Sequence, residues 1–217
     1  MEVFVTPDPA SAADHFAVAI RAAIEARGRC ILGLSGGRTP AAVLRVLGMH
    51  PIPWDRVHVV QVDERQAPED HPDRNLVGLR AALPEGLRIY PMPVDWPDAD
   101  ASYGALLRDL CGEPPAIDVV HLGLGDDGHT ASLVPGDPAL VATAPVAWTG
   151  VYQGRRRLTL TYPTLDAARL VLWLVSGASK QPMVERLLAG DGTIPAGRVR
   201  APRQILLCDP ACAPGGP

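Results

Sequence analysis

The most informative stretch of this sequence covers residues 123–136 and reads Gly-Leu-Gly-Asp-Asp-Gly-His-Thr-Ala-Ser-Leu-Val-Pro-Gly. It follows an apolar run, residues 117–122, which we predict to be a buried strand. Histidine is the side chain best suited to moving protons near neutral pH, and ligands of open α/β sheets bind beyond the carboxyl ends of strands. We therefore predict that His129 transfers protons in a site there. The alternative, a capping or core histidine, fits less well beside two acidic residues.

The same stretch also has the glycine spacing of a dinucleotide-binding fingerprint, beginning at Gly123. That fingerprint needs a helix N-terminus free for pyrophosphate and an acidic residue about 20 positions further on. Here Asp126 and Asp127 would repel pyrophosphate, and the region around Trp148 has no carboxylate. Pro135 would also end any helix almost where it starts. The sequence therefore argues against nucleotide binding.

A second motif, Ser-Gly-Gly-Arg-Thr-Pro at residues 35–40, joins a predicted strand to a predicted helix. Paired glycines, Gly36 and Gly37, let backbone N–H groups approach an anion, and the helix start favours negative charge. The Thr39 hydroxyl is a further donor. The Gly-Lys-Ser/Thr ending of a Walker loop is missing. From this motif alone, phosphate binding and a plain strand-to-helix turn both remain open.

Three consecutive charged residues, Asp63, Glu64 and Arg65, follow the predicted strand 57–62 and are expected in a loop. Packing explains such a run poorly, whereas a carboxylate there can orient a base or bind hydroxyls and an arginine can clamp phosphate. A solvated loop with a local ion pair is the alternative.

Two further cations are candidates for the same crevice. Lys180 starts a predicted helix, where the helix dipole disfavours a cation unless an anion offsets its charge. A solvated lysine is the alternative. Arg157 opens a predicted strand and either points into the crevice or flanks it.

The elements that must position these residues alternate along the chain. The apolar runs predict strands at 3–6, 30–34, 57–62, 88–92, 117–122, 158–162, 170–176 and 204–208, with 88–92 at an edge. Helices are predicted between most of them, at 8–27, from the 35–40 motif to about 47, and at 75–83, 99–110 and 179–189. This pattern predicts one α/β domain over residues 1–209, with a doubly wound, mostly parallel sheet and helices on both faces. The Pro- and Gly-rich tail 210–217 is expected to fray.

Composition limits the classes of partner and compartment. The 217 residues carry a net charge of -4, so neither nucleic acid nor an acidic membrane is an expected partner. The four cysteines have no metal-ligand spacing, and Cys30 and Cys208 lie in apolar runs where a thiol is usually a small buried hydrophobe. No basic leader or long apolar run is visible, so we expect a cytoplasmic protein with reduced thiols, as a monomer or a small homo-oligomer.

Taken together and in this order, the motifs resemble the 6-phosphogluconolactonase family. The matching segments span nearly the whole chain: 35–40, 63–65 with Asn75 downstream, 125–136, 157–161, Gly177 with Lys180, and 195–196. The sequence departs from the family's usual residues at three positions, and these departures are modest. Arg74 stands where a serine often precedes the asparagine, Val134 where phenylalanine is usual, and Asp126 where proline or glutamate is common.

The resemblance implies a modified Rossmann-like fold and hydrolysis of 6-phospho-D-glucono-1,5-lactone to 6-phospho-D-gluconate, with no metal or organic cofactor. His129 would take a proton from water and return it to the leaving oxygen, while Asp63 or Asp127 orients the imidazole. The resemblance assigns substrate binding to Gly36, Gly37, Arg38, Thr39, Arg65, Asn75, Arg157 and Lys180.

Two other functions remain as alternatives. In the related glucosamine-6-phosphate deaminases, the histidine works with a glutamate five positions later, and Asp-Glu-Tyr replaces Asp-Glu-Arg. Here the position five residues after His129 is the apolar Val134, and residue 65 is arginine, so both differences favour the lactonase. A non-catalytic sugar-phosphate sensor would keep the glycine loop and Lys180 but would have no need of His129.

Overall fold

A computed structural model of the chain describes residues 1–215, with the backbone alone at Arg38. The predicted role of the Arg38 side chain and the last two residues of the tail therefore lie outside what is described. The strands are β1 (Glu2–Val5), β2 (Cys30–Leu34), β3 (Val57–Gln61), β4 (Asp63–Arg65), β5 (Arg88–Tyr90), β6 (Val119–Leu122), β7 (Val146–Trp148), β8 (Arg157–Leu160), β9 (Val171–Val175) and β10 (Gln204–Cys208). The helices are α1 (Pro9–Arg27), α2 (Arg38–Leu47), α3 (Asn75–Ala82), α4 (Ala99–Cys111), α5 (Tyr162–Ala167) and α6 (Gln181–Leu188).

The larger sheet has seven strands in the order β1-β10-β9-β6-β2-β3-β5, and every pair is parallel. Side chains alternate between its two faces, so a strand covered on both faces must be apolar at nearly every position. In β9, Leu172 packs on the face covered by α1, α2 and α3, and Trp173 packs on the face covered by α4, α5 and α6. The predicted α/β architecture is confirmed, including the edge position of β5.

Local chemistry explains the bounds of α1, which match the predicted ones. One carboxylate oxygen of Asp8 accepts a hydrogen bond from the Ser11 N–H at 2.8 Å, and Pro9 occupies the first helical position. Gly28 ends the helix in the left-handed conformation, with φ of 75°.

A second, three-stranded antiparallel sheet in the order β4-β8-β7 was not predicted. The expectation that residues 63–65 form a loop is wrong, because they pair with β8 as strand β4. The predicted strand 158–162 ends at Leu160, and Pro163 lies in the first turn of α5. Three-residue strands contain too few alternations to give a sequence signal. This small sheet brings Asp63 and Arg157 to the same edge of the molecule.

The described part of the tail packs against the body at Cys212, which is buried and donates its backbone N–H to Asp209 at 3.0 Å. Fraying of 210–217 as a whole stays a prediction. Cys30 and Cys208 are buried as predicted. Among residues 1–215, no helix is both long and apolar enough to cross a membrane.

Candidate active site

The loops after β2, β6 and β9 meet the small sheet around a cleft of about 210 Å³. The chain therefore brings together segments that are far apart in sequence, as expected for the carboxyl edge of a parallel sheet. The predicted site residues that line the cleft are Gly36, Asp63, Arg65, Asn75, His129, Arg157 and Lys180.

The other described candidates lie beside the cleft. Gly37 is the exposed residue that precedes α2. Thr39 lines a neighbouring cavity together with Asp8 and Ser176. Asp127 does not line the cleft and contacts it through His129. A direct role in substrate contact is therefore supported for fewer residues than the sequence predicts.

His129 and Asp127 form a hydrogen-bonded pair at the cleft. The His129 Nδ1–H and the backbone N–H of the same residue both donate to Asp127 Oδ1, at 2.6 Å and 3.0 Å. Burial acts to raise the pKa of the Asp127 carboxyl, but these hydrogen bonds and the imidazole charge outweigh it and hold the pKa below its usual value. Since Nδ1 carries the proton that Asp127 accepts, Nε2 is left as the basic nitrogen.

Glycines shape the loop that holds this pair. The Gly125 N–H donates to the carbonyl of His129 at 2.9 Å, which closes the loop back on itself. The imidazole lies so close to Gly125 that a Cβ at this position would overlap its ring. A glycine is therefore required at 125 by close approach, and the sequence pattern that resembled a nucleotide fingerprint is a scaffold for His129.

Asp63, the second candidate for orienting the imidazole, is engaged elsewhere. Its Oδ2 accepts from the Ser132 hydroxyl at 2.6 Å, and its Oδ1 accepts from Asn75 Nδ2 at 3.1 Å. The sequence left Asp63 and Asp127 as alternatives, and the geometry places Asp127 against His129. Asp63 instead joins the loop of residues 123–136 to α3 across the floor of the cleft.

Glu64 is an important residue that the sequence named only as part of a charge run. It is fully buried, and its carboxylate accepts from the backbone N–H groups of Asn75 and Leu76, at 2.7 Å and 2.9 Å. These are the first two N–H groups of α3, so Glu64 caps that helix from a distant strand. The buried Arg74 guanidinium lies 3.4 Å from the same carboxylate. The solvated-loop alternative for residues 63–65 is therefore wrong: this charge is buried because it is paired and hydrogen-bonded.

Arg65 and Arg157 line one side of the cleft from neighbouring strands. Arg65 donates to the carbonyl of Asp73 at 3.0 Å, and Arg157 donates to Gln153 Oε1 at 3.0 Å. Burial lowers the pKa of the Arg157 guanidinium, with the nearby Asp63 charge acting in the opposite direction. Its buried Nε has no hydrogen-bond partner among the described residues. Because this guanidinium lines the cleft, it is suited to bind an anion there.

Lys180 approaches the cleft from the segment after β9. Its Nζ lies 2.8 Å from Asp126 Oδ1, and the lysine side chain is 21% exposed whereas the aspartate is 73% exposed. Asp126 thus supplies the anion that a lysine at a helix start requires. The solvated-lysine alternative does not describe this contact.

His121 also lines the cleft, although no pattern in the sequence singles it out. It lies in β6 and is buried, and its Nδ1 accepts from the Ser35 N–H at 3.3 Å. Burial lowers the pKa of His121 to about 4. This imidazole is therefore neutral near neutral pH. The sequence could not identify His121 as a cleft residue, because a histidine inside an apolar strand has the same pattern whether it lines a cleft or lies in the core.

The arrangement has the components of acid–base chemistry on an anionic ligand. A basic imidazole nitrogen is held by a carboxylate, and three cations line the same cleft. Among the residues described, no group of three or more His, Cys, Asp or Glu side chains is placed to hold a metal ion.

Comparison with known proteins agrees with this geometry. A relative from Synechocystis named 6-phosphogluconolactonase is 39% identical over 185 residues, which cover 79% of this chain and 77% of the relative. One of the same name from Mycobacterium tuberculosis is 34% identical over 212 residues, which cover 88% and 86%. The solved structure of 6-phosphogluconolactonase from Trypanosoma brucei has a TM-score of 0.83 at 27% identity, over 98% of this chain and 97% of that one.

Residues 9–207 match the family described as glucosamine-6-phosphate isomerases/6-phosphogluconolactonase. This match covers both sheets except β1 and the last residue of β10, and it includes every predicted site residue. The resemblance drawn from the sequence motifs is confirmed. The chain belongs to the glucosamine-6-phosphate isomerase/6-phosphogluconolactonase family.

Proposed function

We propose that this protein hydrolyses 6-phospho-D-glucono-1,5-lactone to 6-phospho-D-gluconate, a step of the oxidative pentose phosphate pathway. The observation that carries the proposal is the 2.6 Å hydrogen bond from His129 Nδ1 to Asp127, in a cleft lined by three cations. The full-length relatives named 6-phosphogluconolactonase support the same activity.

His129 acts as general base and then as general acid. Its Nε2 accepts a proton from a water molecule, whose oxygen attacks the lactone carbonyl carbon to give a tetrahedral oxyanion. The imidazolium returns the proton to the ring oxygen as the carbon–oxygen bond breaks, which yields the open-chain acid. Asp127 holds the imidazole in the required tautomer and stabilises its charged form.

The cations bind the phosphate group and thereby position the carbonyl. Arg65, Arg157 and Lys180 converge on the cleft, and a phosphate dianion offsets their charge. Fixing the remote phosphate orients the lactone toward His129, which contributes to the rate without any chemistry at the cations. The amides of Gly36 and Gly37, at the start of α2, bind either the phosphate or the oxyanion. Asn75 contributes mainly by holding Asp63.

The deaminase alternative requires a carboxylate five residues after the histidine. Val134 occupies that position and is buried, so no acid is present there to relay a proton. The reaction needs no cofactor, because the histidine and water supply every proton that moves. We further propose that the protein is cytoplasmic and that residues 1–209 form one domain. We also propose that it is a monomer or a small homo-oligomer, and light scattering of the purified protein tests this oligomeric state.

Freshly generated lactone tests the function directly. Acid release above the spontaneous rate supports the lactonase, ammonia release from glucosamine-6-phosphate supports the deaminase, and binding without turnover supports the sensor. His129→Ala should lower kcat by about 10²- to 10⁴-fold with an unchanged circular dichroism spectrum. A variant with wild-type kcat would remove His129 from the mechanism.

A further inference from the structure

Tyr152 contacts both members of the histidine–aspartate pair, although no motif in the sequence singles it out. Its hydroxyl donates to Asp127 Oδ2 at 3.3 Å, on the carboxylate oxygen that His129 leaves free. Its ring meets the His129 ring edge-on, with centroids 5.5 Å apart and an interplanar angle of 65°. The tyrosine therefore limits both the rotation of the carboxylate and the tilt of the imidazole.

Tyr152 is itself held on its other side by a cation of the cleft. The Arg157 guanidinium carbon lies 5.0 Å from the centre of the tyrosine ring. Tyr152 and Arg155 pair across a tight turn, in which Gln153 and Gly154 both have positive φ and Gln153 accepts from Arg157. The turn thus connects the phosphate-binding side of the cleft with the proton-transfer side.

We propose that Tyr152 is a positioning residue for the hydrolysis proposed above, on which this inference rests. Its hydroxyl fixes the plane of the Asp127 carboxylate so that Oδ1 stays aimed at His129 Nδ1. Its ring keeps His129 Nε2 directed into the cleft. Tyr152 does not line the cleft, so it acts through Asp127 and His129.

The Tyr152 hydroxyl remains a hydrogen-bond donor throughout the pH range near neutrality. Burial and the Asp127 charge both raise the pKa of Tyr152 above its usual value, so the hydroxyl stays protonated near neutral pH. The other charges near it are Arg157, which acts in the opposite direction, and Asp126, which pairs with Lys180. The pH dependence of activity near neutrality therefore reports protonation of the His129–Asp127 pair and not of Tyr152.

Tyr152→Phe removes the hydroxyl and keeps the ring. We expect kcat to fall about threefold to tenfold and KM to change less than twofold, since the ring still supports Arg157. The acidic limb of the kcat/KM profile should move down by about 0.5 pH unit, because a carboxylate that is no longer held toward Nδ1 stabilises the imidazolium less. Tyr152→Leu should also raise KM, because the stacking surface for Arg157 is lost.

Tyr90→Phe is the matched control. The Tyr90 hydroxyl also bonds a histidine, His58, at 2.8 Å and with stacked rings, but this pair joins β3 to β5 outside the cleft. The kcat and the pH profile of the Tyr90→Phe enzyme should match those of the wild type. A Tyr152→Phe enzyme that equals the Tyr90→Phe enzyme in kcat and in pH profile would overturn the proposal.

A spectroscopic measurement separates this inference from the proposed reaction. The ring ¹⁵N signals of His129 distinguish its two tautomers without any substrate. The wild type should show the Nδ1–H tautomer, and Tyr152→Phe should show a mixture of both. If the wild type fails to hydrolyse the lactone, the function falls while the tautomer shift still decides the role of Tyr152. Identical ¹⁵N signals in both proteins overturn that role.

Discussion

Replacing Asp127 by asparagine should slow the proposed hydrolysis and leave substrate binding nearly unchanged. In the structure, Asp127 Oδ1 accepts the Nδ1 proton of His129 at 2.6 Å, which leaves Nε2 free to accept a proton from water. An asparagine can turn its amide NH₂ toward Nδ1 and so stabilise the other tautomer, in which Nε2 already carries the proton. It also removes the negative charge that stabilises the imidazolium.

The size of the effect follows from the hydrogen bond that is lost. A hydrogen bond to a charged group contributes about 1.5–3 kcal/mol, and about 1.4 kcal/mol corresponds to tenfold in rate, so complete loss in the transition state lowers kcat about 10- to 150-fold. Because the Asp127 side chain is 38% exposed, solvent screening favours the lower part of that range, about 10- to 50-fold. KM should change less than about twofold, since Asp127 does not line the cleft.

Steady-state kinetics on fresh lactone at about pH 6.5, close to the ordinary histidine pKa, measure both constants. Asp126→Asn is the matched control, because it removes a neighbouring carboxylate that contacts Lys180 and not His129. That variant should alter KM and leave kcat within about twofold of the wild type. A wild-type kcat in Asp127→Asn, or an equal loss of kcat in Asp126→Asn, would refute the assignment of Asp127 to the imidazole.

Four other changes test the remaining parts of the structure. Lys180→Ala should raise KM about tenfold by removing one phosphate contact, and an unchanged KM would exclude that contact. Gly125→Ala should abolish turnover because its Cβ overlaps the His129 ring, whereas Gly78→Ala, which adds a Cβ in open space, should keep full activity; equal kcat values would contradict this. Glu64→Gln should lower the free energy of unfolding by about 3 kcal/mol or more and Tm by about 6–12 °C, because buried Arg74 loses its charged partner and one of the two acceptor oxygens at the start of α3 becomes an NH₂ group. An unchanged melting curve would show that the buried charge is not needed. Asp191 bonds Thr193 and Arg186, which lower its pKa to about 2, so its stabilisation is present above the ordinary value of 3.8 and is lost as pH falls toward 2. The urea midpoints of the wild type and Asp191→Asn should therefore differ near neutrality and converge in acid.

The central strands of the main sheet were predictable because they are buried on both faces. Segments such as residues 30–34 and 170–176 are apolar at nearly every position, which is the pattern that a covered parallel strand requires. The small sheet was not predictable. Its strands β4 and β7 have three residues each, and β4 consists of charged residues whose burial depends on partners elsewhere in the chain.

The sequence by itself determined which residue types are available at the ends of the strands. His129, the glycines around it and the scattered cations are local features, and their chemistry follows from residue type and spacing. Val134 likewise separated the lactonase from the deaminase by residue type alone.

Only the tertiary structure decided which side chains meet. The sequence left Asp63 and Asp127 as alternative partners for His129, but the structure engages Asp63 with Ser132 and Asn75, whereas Asp127 accepts from the imidazole. Glu64 is buried because the start of α3, 11 residues away in sequence, supplies its donors. Hydrogen bonds act over about 3 Å and are set by folding rather than by sequence distance, so such pairings have no signature in composition or periodicity.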